Sequence, residues 1–158
     1  MNTTIRRATS SDLPALGRMG ALLMQVHYAF DSRRFMPPGD DAADRYAWFL
    51  GTQLKRSDAI VLVAEQEGVP VGYVYAGIEP RNWKELRDEA GFVHDVVVVE
   101  EARHSGVAAA LLDAAIAWLR DRGMPRVVLW SADQNSVAQR LFERLGFRRT
   151  MVEMTKEL

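Results

Sequence analysis

The spacing of apolar residues switches along the chain between the three-to-four-residue interval of helices and the two-residue alternation of strands. Helices are predicted at residues 10–30, 42–56, 107–119 and 135–145. Strands are predicted at residues 4–8, 59–64, 69–78, 92–99, 126–130 and 147–158, with a short helical turn at 83–88. This order favours a mixed α/β sheet whose C-terminal half pairs in parallel.

Two of the predicted strand regions also carry a signal for their position. Glu67 and Gly68 separate two β-branched runs, which is typical of an antiparallel hairpin with a tight turn. The strand at 92–99 is so rich in valine that we expect it to be buried on both faces and therefore central.

Composition indicates an ordinary globular protein, and we expect residues 1–158 to form one domain. The net charge of −1 gives no field that would gather nucleic acid, and the absence of cysteine excludes disulfides, cysteine nucleophiles and iron–sulfur clusters. The longest stretch without charge, residues 19–30, is too short to cross a membrane. The first residues lack the apolar block of a secretory signal, so we expect a cytoplasmic protein with no membrane partner.

The junction between the valine-rich strand and the next helix has the features of an anion site. A short loop holds Arg103, Ser105 and Gly106, and the helix that follows starts with small residues and free backbone N–H groups. A tight strand-to-helix turn with a surface arginine explains the same residues equally well. The segment has neither the Gly-Lys-Ser/Thr of a nucleotide triphosphate loop nor the three glycines of a dinucleotide fold.

Residues 96–108, followed by Leu111 and Leu112, resemble the acetyl-CoA pyrophosphate motif of the GNAT acetyltransferase superfamily, Arg/Gln-x-x-Gly-x-Gly/Ala after a valine-rich strand. A second match lies downstream, where Asn135, Ala138 and residues 141–147 resemble the Asn-x-x-Ala…Gly-Phe segment that supports the pantetheine arm. The two matches cover nearly the whole chain when the early helices and hairpin are included.

The resemblance implies a GNAT-like α/β domain in which two parallel strands of a central mixed sheet splay apart, flanked by about four helices. It implies acetyl-CoA as co-substrate and an N-acetyltransferase that acts on an amine of a small molecule or peptide. The residues expected to hold the cofactor are Val96, Val97, Val98, Arg103, His104, Ser105, Gly106, Val107, Ala108, Asn135 and Phe142. Asn135 is also explained as a plain N-cap of the last helix.

Direct attack on a thioester requires a neutral amine, so a base must remove a proton. Many members of the family place a polar residue just before the valines, where this chain has His94 and Asp95. Histidine titrates near neutral pH and is the first candidate, although an isolated strand histidine is often structural. Strand alternation sends Asp95 to the opposite face. Glu79, at the end of the preceding strand, is a further candidate.

The position where the family often has a proton-donating tyrosine is occupied by Phe142. Phenylalanine cannot protonate the leaving thiolate, so another tyrosine, a water or no acid serves. Tyr73 and Tyr75 are expected to be buried aromatic residues instead. This departure keeps open a second function, a non-catalytic acyl-CoA-binding sensor or interaction domain of the same fold.

The early helices and the loop between them are expected to wall the acceptor pocket. His27, Tyr28, Asp31 and Trp83 would suit a cationic amine, with the alternative that Phe30 and Trp48 are core residues and that the loop arginines are only solvated. The three histidines lack metal-site spacing, so no metal is expected. The long last strand at 147–158 favours a homodimer that covers its open edge.

Overall fold

Five strands form one mixed sheet in residues 2–158, the part of the chain that the computed structural model describes. The strands are β1 Thr3–Arg7, β2 Ala59–Gln66, β3 Val69–Glu79, β4 Ala90–Val98 and β5 Val127–Leu129. The helices are α1 Leu13–Phe30, α2 Ala42–Leu54, α3 Val107–Asp121 and α4 Ser136–Arg144. Within these described residues, no helix is long and apolar enough to cross a membrane.

The sheet order β1-β2-β3-β4-β5 follows the chain. The first four strands pair antiparallel. β4 pairs with β5 in parallel, and only Gly91–Val93 and Val127–Leu129 take part in this pairing. Glu67 and Gly68 close the β2–β3 hairpin with positive φ angles of 51° and 79°, as a type I′ turn requires. The predicted hairpin and the parallel pairing of the C-terminal half are therefore confirmed.

The sheet separates two apolar cores because neighbouring residues of each strand point to opposite faces. Ile60, Leu62 and Ala64 pack with α3 and α4 on one face, whereas Val61 and Val63 pack with α1 and α2 on the other. β4 contributes to both cores, so its expected burial on two faces is confirmed. The result is a three-layer α/β/α arrangement that fixes the helices on both sides of β4.

A β-bulge interrupts β4 at His94. Tyr75 pairs with Asp95 but its neighbour Ala76 pairs with Val93, which leaves His94 as the extra residue. A bulge of this kind shifts the alternation of side chains by one position. His94 and Asp95 consequently lie on the same face, toward α1 and α2, and the expectation that alternation would separate them is wrong.

Two predicted elements are absent from their segments. Residues 83–88 form turns closed by a bridge between Asn82 and Arg87 rather than a helical turn. Residues 147–158 form no strand, since β5 is only three residues long and offers little edge to pair with. This tail is largely exposed, and Glu153 accepts hydrogen bonds from Arg34, which is therefore paired rather than simply solvated. The edge strand that would pair two copies in the predicted homodimer is therefore absent from residues 147–158.

An ion network at Arg6 attaches the start of α1 to the sheet. The guanidinium of Arg6 donates to Asp12 at 2.9 Å and to Glu65 at 2.6 Å, and Asp12 also accepts the backbone N–H of Thr9 at 2.8 Å. Asp12 is only 5% exposed. The hydrogen bond from Arg6 holds the pKa of the Asp12 carboxyl at about 2, below its ordinary value of 3.8.

Asp12→Asn is expected to flatten the dependence of stability on acid pH. A carboxyl whose pKa is lowered by folding stabilises the native state above its unfolded pKa, and this contribution disappears as pH falls from about 4 toward 2. The shift at Asp12 corresponds to about 2 kcal/mol. Urea unfolding at several pH values between 7 and 2.5 measures the free energy of unfolding of the parent and the variant. The exposed Asp113→Asn on α3 is the control, and parallel curves for the parent and Asp12→Asn would contradict the assignment.

Candidate active site

A cleft of about 290 Å³ opens where β4 and β5 separate. Its floor is the segment from Val93 to Val96, and the end of β5 and the start of α4 form one wall. The other wall consists of α1, the loop after it and Tyr46 of α2. The cleft therefore lies where both layers of helices and the divided sheet meet.

The cleft exists because the parallel pairing stops. The last pair joins Val93 to Leu129, and the bulged residue His94 follows immediately. A bulge bends the strand and increases its twist, which turns β4 away from the direction of β5. On the side toward β5, β4 has no strand partner from His94 to Val97. This exposed backbone edge is the splayed geometry that the resemblance implies.

The loop after β4 presents a row of free backbone donors. Among the described residues, the N–H groups of residues 104–109 have no hydrogen-bond acceptor. His104 and Gly106 adopt positive φ angles of 61° and 81°, which curl the loop into the first turn of α3. Several N–H groups at the positive end of a helix form a cradle for an anion.

Two side chains hold this loop in place. Arg103 donates from Nε to the carbonyl of Val98 at 3.1 Å, and Ser105 donates from Oγ to the carbonyl of Ala102 at 2.5 Å. Both bonds are local, so these side chains fix the shape of the loop. Val107 is buried under the loop and anchors α3 in the core, while Ala108 keeps the first turn small.

Asn135 and Phe142 line the cleft from α4. Asn135 Oδ1 accepts the backbone N–H of Ala138 at 3.2 Å, so the N-cap interpretation is confirmed and the other end of the amide remains for a ligand. Phe142 is buried and packs edge-on against Phe147. Neither residue brings an acid into the cleft.

His94 and Glu79 form a hydrogen-bonded pair at the acceptor end. His94 Nε2 lies 2.9 Å from Glu79 Oε1, and the imidazole ring lies against Phe92 and Tyr75 at centroid distances of 5.6 and 4.8 Å. A carboxylate only accepts, so Nε2 carries the proton and donates it. In the neutral ring, Nδ1 therefore holds the lone pair, and no described residue donates a hydrogen bond to it.

Asp95 lies beside this pair and is held by two tyrosines. Its Oδ2 accepts hydrogen bonds from Tyr46 at 2.5 Å and from Tyr73 at 3.0 Å. Burial raises the pKa of the Asp95 carboxyl above its ordinary value, and the two hydroxyls oppose that effect. Burial and the carboxylate raise the pKa of both tyrosines, so their hydroxyls remain protonated. Tyr75 lies two residues after Tyr73 on β3 and donates a hydrogen bond to Gln53. Burial raises the pKa of Tyr75 to about 12.

The predicted acceptor residues do not all reach the cleft. His27 lines it, and its Nδ1 donates to the carbonyl of Leu23 at 2.8 Å, which leaves Nε2 as the acceptor of the neutral ring. Tyr28 and Asp31 lie outside the lining, at and just beyond the end of α1. Trp83 and Trp48 are 79% and 73% exposed and also lie away from it, so Trp48 is not a core residue.

Sequence reasoning missed Tyr46 and Trp130. Tyr46 belongs to the apolar face of α2, and its role at Asp95 depends on a contact between residues 49 positions apart. Trp130 follows β5 directly and lines the cleft with an exposed ring, edge-on to Phe92. A tryptophan at the end of the predicted strand at 126–130 is the signal that the sequence offers.

The sequence is similar to those of known acetyltransferases. The model of the acetyltransferase (GNAT) family matches residues 23–147. The N-alpha-acetyltransferase of Sulfurisphaera tokodaii is 33% identical over 153 residues, which cover 94% of this chain and 81% of that protein. The mycothiol acetyltransferase of Cellulomonas flavigena is 35% identical over 98 residues, or 59% of this chain and 28% of that enzyme. This chain thus spans less than half the length of the first curated relatives that it matches.

A structural relative shows the same fold at low identity. An aminoglycoside N-acetyltransferase solved in complex with CoA superposes with a TM-score of 0.79 at 19% identity, covering 99% of this chain and 95% of the other. The family model covers most of the chain, and its matched range includes the divided strands, the anion cradle and the His94–Glu79 pair. The chain belongs to the acetyltransferase (GNAT) family.

Proposed function

We propose that this protein transfers the acetyl group of acetyl-CoA to a primary amine. The observation that carries the proposal is the arrangement along β4, which has a row of free N–H donors beyond one end and a histidine with a free lone pair at the other end of its unpaired edge. The first feature suits a pyrophosphate and the second suits an amine. The unpaired edge between them suits an extended arm with amide groups.

The anion cradle fits the phosphates of CoA by its own chemistry. Backbone N–H groups approach an oxyanion closely when no side chain intervenes, and a Cβ at Gly106 would meet no atom within 4 Å. The backbone of residues 94–97 would bind the amide groups of the pantetheine arm. Asn135 would contact the same arm from the opposite wall. The thioester would then lie near the bulge.

His94 is the base in this proposal. Nδ1 of His94 first takes a proton from the bound ammonium. The neutral amine nitrogen then attacks the thioester carbonyl, the new N–C bond forms, the C–S bond breaks, and the second proton is lost to water. Glu79 holds the ring through Nε2, which keeps the lone pair on Nδ1 directed away from the carboxylate. CoA leaves as its thiolate.

Because residue 142 is phenylalanine, the thiolate departs without an acid at this position. The residue is buried and has no hydroxyl, and a thiol with a pKa of ~8.5 is a tolerable leaving group. The same substitution is the one observation that favours the second candidate, an acyl-CoA-binding domain without turnover. Release of free CoA thiol in the presence of a panel of amines separates the two functions, because only the enzyme releases it.

Gly106→Asp is expected to abolish stabilisation of the fold by acetyl-CoA. The new carboxylate would lie within the anion cradle and repel a pyrophosphate. Gly123→Asp is the matched control, since Gly123 has nearly the same φ angle, 79° against 81°, and equally open space, so both variants bear similar backbone strain. Thermal unfolding with and without acetyl-CoA measures the effect. Equal ligand-induced shifts in both variants would place the phosphates elsewhere.

His94→Ala is expected to lower kcat by ~10²-fold or more and to leave the affinity for acetyl-CoA nearly unchanged, because the base acts on the acceptor. Glu79→Gln is the milder companion, since a glutamine oxygen can still accept from Nε2 and hold the ring. We expect Glu79→Ala to lose more activity than Glu79→Gln. Steady-state kinetics with both substrates varied decides the point, and an unchanged kcat in His94→Ala would reject this base.

A further inference from the structure

The acceptor half of the cleft is apolar around one carboxylate. Leu23, Met24, Phe35 and Met36 supply hydrocarbon and thioether surface from α1 and the loop after it. Among the described residues that line the cleft, Asp95 is the only acidic one. A pocket of this composition orients its ligand through the few polar groups that it has.

One oxygen of Asp95 is available to a ligand. Both tyrosine hydroxyls donate to Oδ2, and Oδ1 has no partner within residues 2–158. In those residues, no side-chain polar atom is both fully buried and without a hydrogen bond. Oδ1 is therefore not fully enclosed, and Asp95 lines the cleft, while Tyr46 and Tyr73 hold the carboxylate in one orientation.

Among residues 2–158, no arginine or lysine pairs with Asp95 through a salt bridge or a hydrogen bond. The titratable groups that face it are Tyr46 from α2, Tyr73 and Tyr75 from β3, His94 from β4 and His27 from α1. A carboxylate in an apolar setting gains from a cation that arrives with the ligand, because a buried charge is costly without a partner.

We propose that the acceptor is an amine carried on an uncharged, apolar body, and that its ammonium docks on Oδ1 of Asp95 beside Nδ1 of His94. This inference rests on the proposed acetyl transfer and names its substrate class. The apolar wall would cover the body of the ligand. Among the described residues of the lining, a second positive charge would find no second carboxylate, and a carboxylate on the ligand would be repelled by Asp95.

The inference is tested by calorimetric binding of four probes to the protein saturated with CoA. The probes are 2-phenylethylamine, 2-phenylethanol without the amine, phenylalanine with an added carboxylate, and the polycation spermidine. We expect 2-phenylethylamine to bind at least roughly tenfold more tightly than each of the others, since a charge-assisted hydrogen bond is worth about one to two decades of affinity. Equal or tighter binding of spermidine or phenylalanine, or no binding of 2-phenylethylamine, would overturn the inference.

Asp95→Asn gives a second, independent arm of the same test. It is expected to weaken 2-phenylethylamine roughly tenfold to a hundredfold while binding of 2-phenylethanol changes little. Asp113→Asn, which removes the same charge from the exposed face of α3, should change neither. Unchanged binding of 2-phenylethylamine to a folded Asp95→Asn protein would overturn the role of Asp95.

The order of affinities in the parent protein does not depend on whether the variant folds. Binding is also separate from turnover. If the affinities follow the expected order but no acetyl group is transferred, the inference is supported and the proposed function is contradicted. If spermidine is acetylated in preference to 2-phenylethylamine, the proposed function is supported and the inference is overturned.

Discussion

The extra residue in β4 is the constraint on which the rest of the site depends. Because His94 has no partner on β3, the strand alternation restarts after it, and two polar side chains follow one another on the same face. The parallel pairing with β5 ends at the preceding residue, Val93. One local irregularity thus accounts for the open gap, the free backbone edge and the adjacency of His94 and Asp95.

Close packing between α1 and α2 places a tyrosine next to the bulge in β4. A Cβ on Gly17 would lie 2.3 Å from the carbonyl oxygen of Ala43, and one on Gly20 would lie 2.1 Å from the ring of Tyr46. Both distances are far below a van der Waals contact, so only glycine allows α2 to approach α1 at these positions. That approach brings the Tyr46 hydroxyl to Asp95. The helix packing therefore determines the orientation of a carboxylate in the cleft.

The sequence predicted those features that repeat or that depend on neighbouring residues. Apolar periodicity located four helices and five strands, and the Glu67–Gly68 turn and the loop at Gly106 followed from local chemistry. The bulge was not predictable, because inserting one residue in a valine-rich strand leaves no change in hydrophobic pattern. Regular strand alternation consequently predicts the wrong face for Asp95. The tail at 147–158 contains strand-forming residues, but strand formation needs a partner edge, which β5 supplies for only three residues.

A crystal structure of the complex with acetyl-CoA would show whether the gap between β4 and β5 holds the cofactor with its thioester at His94. We expect pyrophosphate oxygens within hydrogen-bond distance of the N–H groups of residues 104–109, a pantetheine arm along residues 94–97, and the acetyl carbon next to Nδ1 of His94. A complex in which the phosphates bind outside this loop, or in which β4 and β5 pair beyond Val93 and Leu129 and close the gap, would contradict this expectation.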